Sequence, residues 1–498
     1  MAGRALLLLL ASVPAWVMAT TVHRGLGPEP DALHIHQAQG LSAFNVLRDV
    51  HEGLLTRDVF GRPVAAIARA WRVDESGLVW TFELDPKARW SDGEPITAVD
   101  FERGWQAALD PASASPTAHW LEPIESFRAL EHDAFELTLK QPTPWLQELL
   151  TLPVAFPDPG DQRRFSGAFR LDRRVPGSQI RLLANAHYRQ ADQVWADQVI
   201  WHVTEDPGAE LARFRAGELH ITEAVPPGRY RWLREQLGDQ LRVAPYFASF
   251  FLAFNLSREP FSDNASLRQA LSLAVDRELL VERVLGSGEL PAWRLVPPGL
   301  VDWPESTPPF SGPADERIAR AQALYRAAGY SERRPLEVEL RFNTSLSHRR
   351  MAAAVAAMWK QHLGVRSRLV NEEWKVFVTN RRHGRITQIV RGGWIADWSD
   401  AGNFLQLFES NSPLNYSFFS DAEFDHLLAQ AEGRPNRERQ ALLHQAEQRL
   451  LDQQAIIPLY YYVSRHLVHP DVRGYEDNPM DIHLSRWLSL APEREDAP

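Results

Sequence analysis

The sequence predicts a mixed α/β chain of more than one domain that is exported, and three observations carry this. Stretches with the period-two alternation of strands interchange with stretches of helical period along nearly the whole chain. A length of 498 residues exceeds an ordinary single domain and admits two or three. The N-terminus begins with a basic residue, Arg4, continues with an apolar run from Ala5 through Val17, and offers a small residue at Ala19. That is the layout of a secretory signal peptide over residues 1–19, and Pro14 argues against an uncleaved span. No later stretch reaches the roughly 18 apolar residues of a spanning helix, so the mature chain is expected to be soluble.

The elements follow in order. Residues 79–84 (VWTFEL) alternate aromatic and β-branched side chains and read as a strand, with a turn at Trp90-Ser91-Asp92-Gly93-Glu94. A helix is expected over 100–109, with Asp100 near its start. The Pro-rich stretch 153–159 is a candidate crossing between lobes, and strand character resumes at 166–171 and 180–183. Leu267, Ala270, Leu271, Ala274 and Val275 lie at helical spacing, giving a helix pair over 264–285. Prolines crowd 291–313, read as a long surface connection. Asp315 is the expected cap of a helix to Ala328, which Gly329 ends. A second helix is expected over 348–363 behind Ser347, with Gly364 just past its end. Strands are expected at 365–370 and 386–394. Ser420-Asp421-Ala422-Glu423 reads as a capping box for a helix to Ala431, followed by a helix over 436–453 and a strand over 456–463.

Composition narrows the function classes. A net charge of −10 without a Lys/Arg run argues against a nucleic-acid partner. Cysteine is absent, which excludes disulfides, thiolate metal sites, cysteine nucleophiles and a lipid-modified cysteine. No phosphate-binding glycine loop, serine-nucleophile elbow or paired-histidine zinc motif occurs. His34-Ile35-His36 would present two imidazoles from one extended strand, but two ligands alone argue against a metal. The 17 tryptophans suit sugar stacking as well as core packing, so composition leaves an exported hydrolase open as a rival.

From Ala68 the chain reads ARAWRVDESGLVWTFELDPKARWSDGEPITAVDFERGW. Trp71, Trp80-Thr81-Phe82, Trp90-Ser91-Asp92-Gly93, Ala98 and Asp100-Phe101 stand in the order of the extracellular solute-binding family that includes oligopeptide-, dipeptide- and nickel-binding proteins. DVHEGLL (49–55), DPASASP (110–116), RQALSLAVDR (268–277), MWKQHLGV (358–365), EWKVF (373–377), GWIAD (393–397) and IPLYYYV (457–463) extend the resemblance over nearly all the mature chain. EWKVF and GWIAD are similar above all to the oligopeptide-binding and murein-tripeptide-binding branch.

The resemblance implies a two-lobed periplasmic-binding-protein fold (type II, cluster C) with an extra subdomain inserted in the first lobe. Residues 20–44, 160–247 and 466–498 would form the first lobe, 45–159 the insert, and 248–465 the second lobe. The implied function is capture of short peptides in the periplasm and delivery to the permease subunits of an ABC transporter, by a monomer without cofactor or catalysis. A murein peptide, a dipeptide or another amine-bearing ligand is the alternative within the same scaffold.

The site residues follow from the same resemblance. Asp397 would receive the ligand's ammonium, while nearby Asp400 is expected to be a cap or a surface charge. Residues 392–395, including Gly393 and Ile395, would take up the ligand backbone as an added strand. Glu29 and Ala32 would face it from the other lobe. Gly392 and Gly393 would permit close approach, or answer a packing need. Arg391, Arg381 and, for longer ligands, His348 would meet the carboxylate end. Trp374, Trp394 and Tyr246 would line side-chain pockets.

Departures are also visible. Ala248 and Ile395 stand where some oligopeptide binders carry two bonded cysteines. Leu33-His34-Ile35 replaces a usual Leu-Asp-Pro, Thr117 replaces a tyrosine, and Leu285 replaces a lysine. The stretches 122–132 and 154–165 are short, and Ser166-Gly167-Ala168-Phe169 stands for an N-G-x-Y motif.

Overall fold

A computed structural model describes residues 20–491, apart from 132, 162, 227, 301–302, 304–312 and 435. The expected signal peptide at 1–19 lies outside the described residues.

Three sheets organise the chain. The first runs in the order Thr21–Gly27, Gln198–Val203, Gln179–Ala184, Phe169–Val175, with its first pair parallel and the rest antiparallel. An antiparallel sheet of Ala68–Val73, Val79–Leu84, Ala134–Leu139 and Ile124–Glu131 lies between the first and later strands of that sheet in sequence. Its core packs Phe82, Phe101, Trp105, Phe135 and Leu137, all fully buried. The expected strand 79–84 forms as written, because Phe82 and Leu84 turn the same face inward. The helix starts slightly earlier, at Ala98–Leu109. Thr97 caps it, and Asp100 at the third position closes a capping box by accepting from the Thr97 amide at 2.8 Å. Gly104 on this helix is required by packing: a Cβ would lie 2.9 Å from both the Asp158 amide and the Phe156 carbonyl.

The third sheet has six strands in the order Leu290–Pro291, Ile456–Leu467, Leu241–Phe254, Ile389–Ile395, Glu337–Asn343, Arg366–Glu372. Its two long members make the crossing between the halves. Leu241–Phe254 and Ile456–Leu467 pair antiparallel from Leu241↔Leu467 to Ala253↔Ile456. At one end Leu467 and its neighbours bond to His220 and Thr222 beside the first sheet, and at the other they sit centrally in the six-stranded sheet. The pairing slips between Pro245 and Ser249, where Pro245 has no amide to donate, so Tyr246 and Phe247 lie at a bend between the halves. Residues 153–159 do not cross there. Pro153–Ala155 is a buried turn that passes from the core around Trp105 to the one containing Phe156.

Other boundaries shift for local reasons. Ser345, not Ser347, caps Leu346–Leu363, and Gly364 at φ +73° ends it as expected. Pro313 precedes Ala314–Ala327, placing Asp315 in its first turn rather than at the cap. Asp421, not Ser420, caps Ala422–Ala431 by accepting from the Phe424 amide at 2.9 Å. The expected helix pair appears as Ala265–Leu273 and a second turn from Arg277 that widens over Leu280–Leu285.

The first part of the Pro-rich stretch is not a surface connection. Ala292, Leu295 and Val296 are buried, and Glu447 accepts from the Leu295 and Val296 amides at 2.9 and 2.8 Å while pairing with Arg294. Nearby, Arg277 is buried without a carboxylate partner among the described residues. Its guanidinium donates to the carbonyls of Ala292 (2.9 Å), Pro458 (2.7 Å), Ser272 (3.2 Å) and Val275 (3.3 Å) and to the Ser272 hydroxyl (3.1 Å). It also lies 4.0 Å over the Trp293 ring.

Candidate functional site

The strand Ile389–Ile395 carries the site. One edge pairs along its full length with the long crossing strand, from Phe254↔Ile389 to Ala248↔Ile395. The other edge pairs with Glu337–Asn343 only at Ile389 and Val390. Among the described residues no strand covers 391–395 on that side, so the edge is open to an added extended chain. Ala248 and Ile395, the positions of the absent cysteines, face one another directly across the ladder.

Gly392 answers a packing need. A Cβ there would fall 2.2 Å from the Phe251 ring, so glycine is held by the core rather than by approach of a ligand. Gly393 leaves 3.3 Å to the Ser249 carbonyl.

Beyond this strand the chain turns into the cleft. Asn403, fully buried, gathers the turn: its Oδ1 accepts from the Trp394 indole at 2.7 Å and the Asp397 amide at 3.3 Å. Burial pushes the Asp397 carboxyl above its ordinary range, with Asn403 and His119 working against the shift. Asp397 has no ion pair among the described residues. Asp400 differs from expectation: it is buried, bonded to Arg439 at 2.7 Å and to the Gly402 amide at 2.7 Å, and so is a structural ion pair rather than a surface charge. The cleft beside Asp397 holds about 500 Å³. His119, Trp120, Lys140 and Trp145 line it from one side, and Trp394 and Trp398 from the other. Trp145 and Trp398 stack across it, centroids 5.7 Å apart and planes 5° from parallel.

A second cavity of about 130 Å³ adjoins this cleft at Trp394 and Leu414 and lies between Phe251, Arg381, Arg391, Trp394, Phe408 and Tyr416. Here two arginines lie against aromatic faces. Arg391 sits 5.5 Å from the Trp374 ring and 5.3 Å from Phe377, and Arg381 sits 4.9 Å from Phe377 and 4.4 Å from Tyr416. Arg391 is buried and makes no ion pair among the described residues; its Nε donates to Asn343 Oδ1 at 2.7 Å. His348 Nδ1 reaches the same oxygen at 2.9 Å. Because that oxygen only accepts, His348 carries its proton on Nδ1. Burial, then Arg391, lowers the His348 pKa to about 4, so the ring is neutral at neutral pH.

The structure therefore gathers Gly393, Trp394, Ile395, Asp397, Arg391, Arg381, Trp374 and His348 around the end of the strand Ile389–Ile395 and the turn that follows it. Trp374 and Ile395 are half-exposed at 49% and 50%, as lining residues of an open groove are. Tyr246 stands at the bend of the crossing strand, within electrostatic reach of Asp397. Glu29 and Ala32 lie elsewhere, in the irregular segment after Thr21–Gly27. Glu29 is already bonded to Arg174 at 2.8 Å and to the Gly177 amide at 2.7 Å. His34 and His36 occupy a turn, not a strand, and burial lowers the His36 pKa to about 4. Sequence reasoning missed Asn343, Asn403 and Tyr416, which position the charged groups and carry no local signal of that role.

Residues 62–416 match the family model described as bacterial extracellular solute-binding proteins, family 5, middle region. The chain belongs to this family. Its relatives include the periplasmic oligopeptide-binding protein OppA of Escherichia coli, 33% identical over 97% of this chain and 95% of that protein. The periplasmic murein peptide-binding protein MppA of the same organism is 32% identical over 94% and 92%. The solved unliganded open form of MppA superposes with a TM-score of 0.86 at 31% identity, covering 95% of this chain and 97% of that one. The fold is the cluster C periplasmic-binding-protein fold, as the sequence led us to expect. Family 5 proteins bind and deliver solutes without catalysis, and the hydrolase rival falls away.

Proposed function

We propose that this chain is the peptide-binding component of an ABC importer, working in the periplasm. The observation that carries the reading is the line of features along one strand and the turn after it: a half-buried carboxylate at Asp397 with no ion pair among the described residues, an open backbone edge at 391–395, and cations at Arg391 and Arg381. An extended peptide offers the complements in the same order, an ammonium, an amide backbone and a carboxylate. Trp374, Trp394 and Tyr246 supply walls for side chains, and hydrated space beside them tolerates differing ones. In this reading the first lobe comprises 20–44, 160–247 and 466–498, the insert 45–159, and the second lobe 248–465. Closure about the bend at Tyr246 and Phe247 would bring Glu29 and Ala32 toward the ligand. The loaded monomer would then dock on the permease.

Titration calorimetry with short peptides of graded length tests this directly. Saturable binding with a length optimum is the expected result, and absence of binding across the series would contradict it. Binding of one murein-type peptide alone would mark a dedicated ligand.

Binding should also depend on pH in a defined direction. The unliganded Asp397 carboxyl sits high because it is buried, and a bound ammonium would pull it down. The complex then holds fewer protons than the free protein, so affinity rises with pH up to the free-state pKa and levels off above it. Below that value the dissociation constant should rise by up to about tenfold per pH unit. His348 adds no step near its ordinary pKa, being neutral well below it. Calorimetry from acid to neutral pH should show this slope in the wild type and lose it in Asp397→Asn; an Asp397→Asn protein with the same slope would assign the proton elsewhere.

A further inference from the structure

We infer that His466, Asp481 and His483 form a site for one divalent first-row transition metal, zinc fitting best, at the base of the crossing strands. The inference is independent of what the cleft beside Asp397 binds.

The three residues come from two segments that meet only in the fold. His466 stands at the far end of Ile456–Leu467, opposite Arg242 of the other crossing strand. Asp481 and His483 follow Pro479, whose carbonyl accepts from the Phe247 amide at 2.7 Å and so ties this segment to the bend. Asp481 Oδ1 lies 2.8 Å from His466 Nε2 and 3.0 Å from His483 Nε2. A donor atom from each of the three lies within 4.8 Å of the other two. Tetrahedral zinc with bonds of about 2.0–2.1 Å holds its ligands roughly 3.3 Å apart, so these atoms need part by only a few tenths of an ångström.

The rings are held from behind, as those of metal ligands are. His466 Nδ1 faces the Thr222 carbonyl at 2.9 Å; a carbonyl only accepts, so Nδ1 carries a proton and Nε2 is the atom turned to the site. Tyr475 stacks on His483, centroids 4.1 Å apart and planes 18° from parallel. Its hydroxyl lies 3.1 Å from His483 Nε2, a contact that a metal would displace. Asp481 itself stands at φ +54°, a left-handed conformation that aspartate tolerates better than most residues.

A cavity of about 10 Å³ lies among these residues, bounded also by Arg24, Thr222 and Glu223. It admits one water-sized guest, which suits an ion and is too small for an organic ligand. Two imidazoles with a carboxylate favour zinc and its neighbours, whereas calcium and magnesium take oxygen ligands. Glu223 is a second carboxylate on the wall, within electrostatic reach of His466 and Asp481, and is the candidate fourth ligand. Arg24 is the opposing cation. Its Nη1 is committed to the His483 carbonyl and the Ser485 hydroxyl at 2.7 Å each, and it lies 4.0 Å over the Trp201 ring. Without a metal the trio holds an ion pair between His466 and Asp481, which leaves the second imidazole, the cavity and Glu223 unused.

The test titrates zinc chloride by calorimetry into the full mature chain, prepared without a histidine tag and stripped with chelator. The expected result is saturable binding of one zinc per chain, with a rise in melting temperature. His483→Phe keeps the stack on Tyr475 and should weaken binding by at least about 100-fold, more than the loss of a residue that only supports a ligand, and abolish the rise. His202→Gln, in the separate histidine group around His23, should change neither. Absence of saturable zinc binding overturns the inference. So does binding that survives in His483→Phe, or that is lost in His202→Gln. If His483→Phe fails to fold, X-ray absorption at the zinc edge of the wild type decides. Two imidazole nitrogens and a carboxylate oxygen at about 2.0–2.2 Å are expected, and an all-oxygen shell or one with three or more imidazoles overturns the assignment.

Discussion

Asp397→Ala should weaken peptide binding by about 100-fold, the range seen when one partner of a buried, hydrogen-bonded charge pair is removed. The ligand's ammonium would enter the cleft between Trp394 and Trp398 and find no counter-charge. The protein itself should not suffer. In the free state Asp397 is a half-buried carboxyl without an ion pair among the described residues, its pKa raised by desolvation, so it adds nothing to the stability of the unliganded fold. The melting temperature of Asp397→Ala should therefore equal or slightly exceed that of the wild type. Asp400→Ala makes the contrast: it strands the buried Arg439 and should lower stability while changing the peptide contacts little. N-acetylated peptides should lose as much affinity for the wild type as free peptides lose for Asp397→Ala, and lose nothing further with the variant. Calorimetry on the four combinations measures this coupling, and additive losses would show that Asp397 and the ammonium do not meet.

Arg277→Met should destabilise the second half by about 3–5 kcal/mol, the cost of dismantling a buried charged network. Burial holds the Arg277 pKa down to about 9, yet the guanidinium stays charged because four carbonyls and a hydroxyl converge on it. Methionine fills much of the volume but leaves those carbonyls without donors. Lysine is not an adequate substitute, since one ammonium cannot span the arc that the planar fork covers. Urea unfolding of Arg277→Met against the wild type checks the figure. A change below about 1 kcal/mol, the worth of one ordinary hydrogen bond, would mean that solvent or rearrangement satisfies the carbonyls.

The parts of this molecule legible in sequence are those where one residue type answers one local need. VWTFEL reads as a strand because alternate residues share a face, and Gly364 ends a helix because its φ is positive. GWIAD marks the proposed binding turn through its resemblance to the family, and among the described residues no strand covers its edge. What sequence reasoning misplaced depends on distant partners. Asp400 looks like a loop acid until Arg439 arrives from a later helix. The Pro-rich stretch looks exposed until Glu447 caps the amides of Leu295 and Val296. Gly392 looks like a concession to ligand until the Phe251 ring is seen where its Cβ would stand. Asn343 and Asn403 are silent in sequence because a buried amide acts through what it orients, Arg391 and His348 in one case and Trp394 and Asp397 in the other.

Native mass spectrometry of the protein isolated from periplasm, with acid release and sequencing of what travels with it, tests the central claim most directly. The account predicts a set of bound masses that resolve to short peptides with free amino termini. A protein whose co-purifying ligand lacks a free amine, or is not a peptide, would contradict it.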